Sequence, residues 1–213
     1  MAHRKPATTF RFQITALVAA VVIAAVLYGM GPIGGKSADE EGGGKGAVSA
    51  LAPFAVGAVG NFVPAREPMP VAPIAFVDAA GNELTLADFS GRTVLLNLWA
   101  TWCTPCREEM PALDALQAQV GGDDVVVLAL SLDKGGIEKP KEFLAEVGIR
   151  HLALYHDATG RMGTKLGAFG LPTTLLIGPD GRSLGRLVGP AQWDAPEARA
   201  LIEAASTLSE PTS

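Results

Sequence analysis

The chain has 213 residues, 48% of them apolar, 18% charged and 6% aromatic, with a formal net charge of −5. That length holds one ordinary domain with appendages, and the apolar content rules out a wholly disordered chain. The acidic balance offers no basic face for phosphates, so no nucleic-acid partner is expected. Two cysteines, Cys103 and Cys106, rule out a multi-disulfide scaffold and a four-cysteine zinc site.

In chain order, Arg4, Lys5 and Arg11 precede an uncharged run from Ile14 to Met30. As a helix this run is roughly 26 Å long, and continuing to Ile33 brings it to about the thickness of a hydrocarbon core. Positive charge ahead of the run puts the N-terminus in the cytoplasm. A cleaved signal peptide would be shorter and followed at once by small residues, whereas Tyr28, Met30 and Pro32 follow here, so an uncleaved anchor is expected. The reading is thus a cytoplasmic N-terminus at 1–11, a transmembrane helix at 12–33, a Gly-rich, acid-containing flexible linker at 34–46 and an exported domain at 47–213, with its core at about 70–205. Beyond Arg11 the chain carries 14 Lys and Arg against 22 Asp and Glu, a net of −8. No second contact with anionic lipid is expected of it. Residues 47–70 are apolar but broken by Pro53, Gly57 and Gly60. They read as a short helix and an extended segment packed on the domain.

Further on, Ile74–Asp78, a turn at 79–82 and Glu83–Leu86 suggest a hairpin. The runs Val94–Trp99 and Val125–Leu130 are almost wholly apolar, as in strands buried on both faces of a mostly parallel sheet. Between them Met110, Leu113, Leu116 and Val120 form a helical stripe, with Pro111 expected to kink it. A second helix turns Ile137, Phe143, Leu144 and Val147 inward, and a short strand follows around Leu152–Tyr155. Thr173–Ile177 and Ser183–Val188 flank the turn Gly-Pro-Asp-Gly as two antiparallel strands. A last helix carries Leu201, Ile202, Ala205 and Leu208. The class is α/β.

Chemistry concentrates in Trp102-Cys103-Thr104-Pro105-Cys106, where a buried strand meets an amphipathic helix. In a first helical turn, positions three apart share a face with Cβ atoms ~5–6 Å apart, close to the ~3.5–4.5 Å of a disulfide. The pair can therefore bond or separate after a small adjustment. Cys103 meets unpaired N–H groups and the positive end of the helix dipole, which favour the thiolate that attacks disulfides. A field worth ~0.3–2 kcal/mol lowers a thiol pKa by roughly 0.2–1.5 units. Pro105 is tolerated at an early helical position. A static crosslink over so short a loop would stabilise little. The histidines, His3, His151 and His156, show no ligand spacing to the cysteines, so no metal or other cofactor is expected. His151 and His156 read as surface or strand-end residues. A carrier that binds Cu(I) through the two cysteines stays as the rival reading.

The stretches LLNLWATWCTPCREEMPALDAL and GAFGLPTTLLIGPDGRSLGRLVG resemble the thioredoxin fold and, within it, the membrane-anchored TlpA-like reductases and the cytochrome c maturation reductases (the TlpA/ResA/CcmG group). The likeness runs from about Pro70 to Ile202. It implies a central mixed β-sheet flanked by helices, with a helix-strand insertion over about 132–152. It implies a redox-active disulfide, with Cys103 attacking and a buried Cys106 resolving. It also implies a cis Leu171–Pro172 bond beside that disulfide and substrate contacts at Trp102, Leu171 and Pro172. A partner segment would add as an extended strand near the cis bond. A peroxide-reducing enzyme of this fold would carry a lone peroxidatic cysteine in a different loop, and the chain has no second cysteine site.

Asn97 stands where thioredoxin has a buried aspartate, while Glu109 completes the CxxCxxE pattern of the reductases. Glu109 is thus a candidate to tune or relay a proton for the thiols, raising their pKa values against the helix field. The competing reading is a solvated glutamate beside Glu108. Trp99 and Trp102 read as packing residues, Trp102 shielding the disulfide, and Trp193 as a residue without functional role. The resemblance implies a periplasmic reductase on the bacterial inner membrane. Its electron donor would be an integral-membrane protein of the DsbD or CcdA kind. Its substrates would be copper-site proteins of cytochrome oxidase assembly or, alternatively, apocytochrome c.

Overall fold

A computed structural model describes residues 48–208. The expected cytoplasmic N-terminus, transmembrane helix and linker lie outside the described residues, among which no helix is long and apolar enough to cross a membrane.

Eight strands form one mixed sheet: β1 (Phe62–Pro70), β2 (Ala75–Asp78), β3 (Glu83–Thr85), β4 (Thr93–Trp99), β5 (Val125–Ser131), β6 (Tyr155–His156), β7 (Thr173–Ile177) and β8 (Arg182–Val188). Their spatial order is β1-β8-β7-β4-β5-β6-β2-β3. The pairs β4–β5 and β5–β6 are parallel, and the other pairs are antiparallel. The helices lying wholly within the described residues are α1 (Thr104–Val120), α2 (Glu138–Glu146), α3 (Met162–Lys165) and α4 (Pro196–Thr207).

The apolar runs of β4 and β5 are buried along their whole length, because side chains alternate between two covered faces. Leu95 and Trp99 of β4 point into a core that holds Met110, Leu113 and Leu116 of α1, Phe143 and Leu144 of α2, and Leu201 and Ile202 of α4. Val94, Leu96 and Leu98 point into the opposite core with Ile74, Phe76, Phe89 and Leu166. Both cysteines belong to the first core.

The hairpin β2–β3 forms as expected, but Leu86 leaves it to begin a 3-10 turn, Leu86–Phe89, opened by a reciprocal Thr85–Asp88 cap. The stretch 47–70 holds two 3-10 turns, Ala52–Phe54 and Gly57–Val59, and then β1. This strand pairs with β8 from Phe62 opposite Leu187 to Pro70 opposite Arg182, around an irregularity between Pro64 and Met69. Prolines at 64, 68 and 70 are compatible with this because β1 is an edge strand, where a missing N–H can face outward.

Two further expectations need correction. The strand expected around Leu152–Tyr155 forms only at Tyr155–His156, where β5 and β2 supply partners. Val147 is exposed; it lies beyond the end of α2, where its N–H closes on the Phe143 carbonyl. The helix α1 spans Thr104–Val120 with Pro111 inside it. The expected insertion between β5 and β6 contains α2, which docks on the active end of the sheet: Phe143 meets Trp99 at 5.6 Å between ring centroids and receives the Arg107 guanidinium 4.9 Å above its ring.

Candidate active site

The strand β4 runs out of the sheet at Trp99, and the next four residues carry the chain into α1. This turn is tied down by Asp133, just past the end of β5. Its carboxylate accepts hydrogen bonds from Thr101 N–H (2.9 Å), Thr101 Oγ1 (2.6 Å) and Ser131 Oγ (3.0 Å). Cys103 then takes extended backbone as the residue capping α1, and Pro105 sits in the first turn, where its absent N–H leaves no bond unmade.

Cys103 and Cys106 are joined as a disulfide with Cα atoms 5.3 Å apart. Cys103 keeps 6% of its surface exposed and Cys106 none. Cys103 is thus the member of the pair with surface left to a partner, and it stands at the positive end of α1.

The Leu171–Pro172 bond is cis. Leu98 of β4 pairs with Thr173 of β7, so Pro172 lies at the end of the sheet where β4 leads into the cysteines. The Pro172 carbonyl accepts from Gly189 N–H (2.9 Å) and Thr173 Oγ1 donates to the Gly170 carbonyl (2.7 Å), which ties down both sides of the bond. Leu171 is half-buried against the core that contains the cysteines.

Glu109 is only 4% exposed, which removes the reading as a solvated helix glutamate. Asn97 Nδ2 donates to its Oε1 (2.8 Å), while Ala191 N–H and Trp193 Nε1 donate to its Oε2 (both 3.1 Å). Burial pushes the Glu109 carboxyl up to about 7, against the pull of those three donors. Asn97 also donates to Thr174 Oγ1 (3.0 Å), while its own Oδ1 has no partner. The acid therefore sits on the helix, three residues after Cys106, and the strand supplies an amide that holds it.

Two tryptophans differ from expectation. Trp102 is not the packing residue expected: 70% of its surface is exposed, and it follows Thr101, which Asp133 holds. Trp193 is fully buried, and its indole N–H is spent on Glu109. Sequence reasoning missed this role, since the two residues are 84 positions apart. The available signal was chemical: a tryptophan in a core requires an acceptor for its N–H. Thr101, Ser131 and Asp133 were missed for the same reason, being separated in sequence and joined only by the β4–β5 pairing. His156 is buried at a strand end, with Nε2 2.9 Å from the Gly135 carbonyl, and His151 N–H donates to Asp114. Among the described residues no group of His, Cys, Asp or Glu is arranged to hold a metal ion.

Beside the disulfide, Trp102, Leu132, Lys134, Lys139, Phe169 and Leu171 are among the residues that line an open groove of about 750 Å³. A thiol pair, a neighbouring backbone turn and an open groove together can exchange a disulfide with an extended partner segment.

Known proteins match this arrangement. The chain is 33% identical over 112 residues to the thiol-disulfide oxidoreductase ResA of Bacillus anthracis, covering 53% of this chain and 64% of that protein. It is 33% identical over 123 residues to the thiol:disulfide interchange protein DsbE of Pseudomonas aeruginosa, covering 58% of this chain and 66% of the other. The alignments thus span a little under two thirds of these relatives' own lengths. A crystal structure described as a DsbE-type thiol:disulfide interchange protein from Chlorobium tepidum superposes with a TM-score of 0.59 at 29% identity, over 65% of this chain and 96% of the other. The model of the AhpC/TSA family matches residues 66–182, more than half of the sequence. The chain belongs to the AhpC/TSA family, and its named relatives are consistent with the TlpA/ResA/CcmG group that the sequence resembles.

Proposed function

We propose that the protein is a thiol–disulfide oxidoreductase that donates electrons to cysteine pairs of partner proteins, in the assembly of the copper site of cytochrome oxidase. The observation that carries the exchange chemistry is the Cys103–Cys106 disulfide at the start of α1, with Cys103 keeping a small exposed surface and Cys106 fully enclosed. In the reduced protein the Cys103 thiolate attacks one sulfur of a partner disulfide. A mixed disulfide forms, and the partner's other sulfur leaves as a thiolate. Cys106, deprotonated, then attacks Cys103 Sγ, closing the intramolecular disulfide and releasing the partner's second thiolate. Two electrons pass to the partner, and each released thiolate takes up a proton.

The carboxyl of Glu109, one helical turn beyond Cys106, is pushed up to about 7, so it gains and loses a proton near neutral pH, and its ionised form takes up the proton when Cys106 ionises. Trp102, Leu171 and Pro172 receive the partner's backbone. The uncharged run at 14–30 behind three cations supports a single inner-membrane anchor with the catalytic domain in the periplasm. Electrons would then reach the disulfide from an integral-membrane dithiol donor of the DsbD or CcdA kind.

The test is Cys106→Ser in the native envelope. With the resolving sulfur gone, the mixed disulfide on Cys103 persists and can be isolated on non-reducing gels. A copper-site assembly protein in the adduct is the expected result. Apocytochrome c in its place would reassign the substrate, and the absence of any adduct would overturn the proposal.

A further inference from the structure

The groove beside the disulfide has a chemical bias that the exchange reaction does not require. Its walls carry two exposed aromatic side chains, Trp102 at 70% and Phe169 at 97% exposure. Leaving two large apolar rings in water at one site is the mark of a surface that is covered during function. The charged side chains of its lining are Asp133, Lys134 and Lys139. Asp133 is buried, and its carboxylate is taken by Thr101 and Ser131, which leaves the two ammonium groups to set the field a ligand meets.

Lys134 is laid along the groove rather than away from it. Its Cγ and Cε lie 3.6 and 3.8 Å from where a Cβ on Gly160 would stand, ordinary contact distance, so the lysine stem runs beside the Gly160 wall of the groove. Lys139 lines the same groove and also borders a depression lined by Arg107, Glu142 and Glu146.

Resting on the oxidoreductase reading above, we propose that this groove selects partner proteins whose reactive cysteine lies in an extended segment with an apolar side chain, seated between Trp102 and Phe169, and an acidic residue facing Lys134 and Lys139. Apolar contact supplies the hold, and charge complementarity supplies encounter rate and choice among partners.

The test uses the reduced full-length chain in neutral detergent and three peptides. Each contains one intramolecular disulfide and a leucine, flanked by two glutamates, two glutamines or two lysines. Rates of peptide reduction are expressed relative to each protein's own rate with hydroxyethyl disulfide, a small neutral probe. At low salt the glutamate peptide is expected to react about fivefold faster than the lysine peptide, the scale of one or two exposed charge pairs. The difference should shrink as salt screens it. Lys134→Glu/Lys139→Glu should reverse the order, and Phe169→Ala should slow all three leucine peptides while sparing their order. Equal rates for the three peptides, with hydroxyethyl disulfide reduced normally, would overturn the groove proposal alone. Failure of the wild-type protein to reduce any of the four disulfides would instead overturn the oxidoreductase reading.

Discussion

Glu109 receives three N–H donors and has no cationic partner among the described residues, so its ionised form is held by hydrogen bonds and penalised by burial, and burial wins. The consequence has a definite sign. In the unfolded chain the carboxyl titrates near 4.5, and in the folded protein at about 7. Between those values the folded state holds a proton that the unfolded state has lost, so stability falls as pH rises through this window. The loss approaches about 3 kcal/mol on the high-pH side. The disulfide form is suited to the measurement because its cysteines do not titrate. Urea unfolding of the oxidised protein from pH ~4 to ~8 should show the decline, and Glu109→Gln should remove it. The glutamine can be accommodated: its amide N–H can donate to the partnerless Asn97 Oδ1 once the Asn97 amide turns over, while its oxygen keeps Ala191 and Trp193. Identical slopes in the two proteins would show that the carboxyl is not the group responsible. Trp193→Phe deletes one donor to the carboxylate and should move the same inflection to higher pH. The position of Glu109, one helical turn beyond Cys106, was legible from the CxxCxxE spacing. The indole that holds Glu109 was not, because no local pattern links positions 109 and 193.

Legibility at the scale of elements followed burial. β4 and β5 could be read directly because both of their faces are covered, and every residue had to be apolar or paired internally. β1 could not: its prolines contradict a central strand, and only its position at the sheet edge permits them. The length of β6 was likewise set by its neighbours rather than by its own residues. The docking of β1 depends on one glycine in β8. A Cβ at Gly185 would stand 2.4 Å from Phe62 Cζ and 2.7 Å from the Val63 carbonyl oxygen. The ring could swing aside, but the backbone carbonyl could not do so without breaking the β1–β8 register. Gly185→Ala should therefore destabilise the full-length protein by about 1–3 kcal/mol, as overpacking does. Relieving the ring contact with Phe62→Ala in the same chain should not restore stability. An unchanged urea midpoint in Gly185→Ala would mean that β1 can shift away from β8 at no cost.

The molecule as a whole is unevenly anchored across its sheet. Its centre, β7-β4-β5, is buried on both faces by two cores and carries the cysteines at one end. The far edge is held more lightly: β2 meets the rest of the sheet through only two residue pairs with β6, Val77 opposite His156 and Asp78 opposite Tyr155. What fastens that edge is an aromatic triangle. Phe76 stacks on Phe89 at 6.3 Å and meets Tyr155 edge-on at 5.6 Å, while Phe89 meets Tyr155 at 5.8 Å. Local opening should begin where backbone pairing is shortest and apolar contact least dense. Phe76→Ala, which removes the ring common to two of these contacts, should therefore raise hydrogen exchange in β2, β3 and β6 far more than in β4, β5 or α1. The cysteine pair should keep its rate of exchange with a small disulfide. If protection fell equally across the sheet, edge and centre would be one cooperative unit. The aromatic triangle would then contribute to the stability of the active end as well as to its own corner.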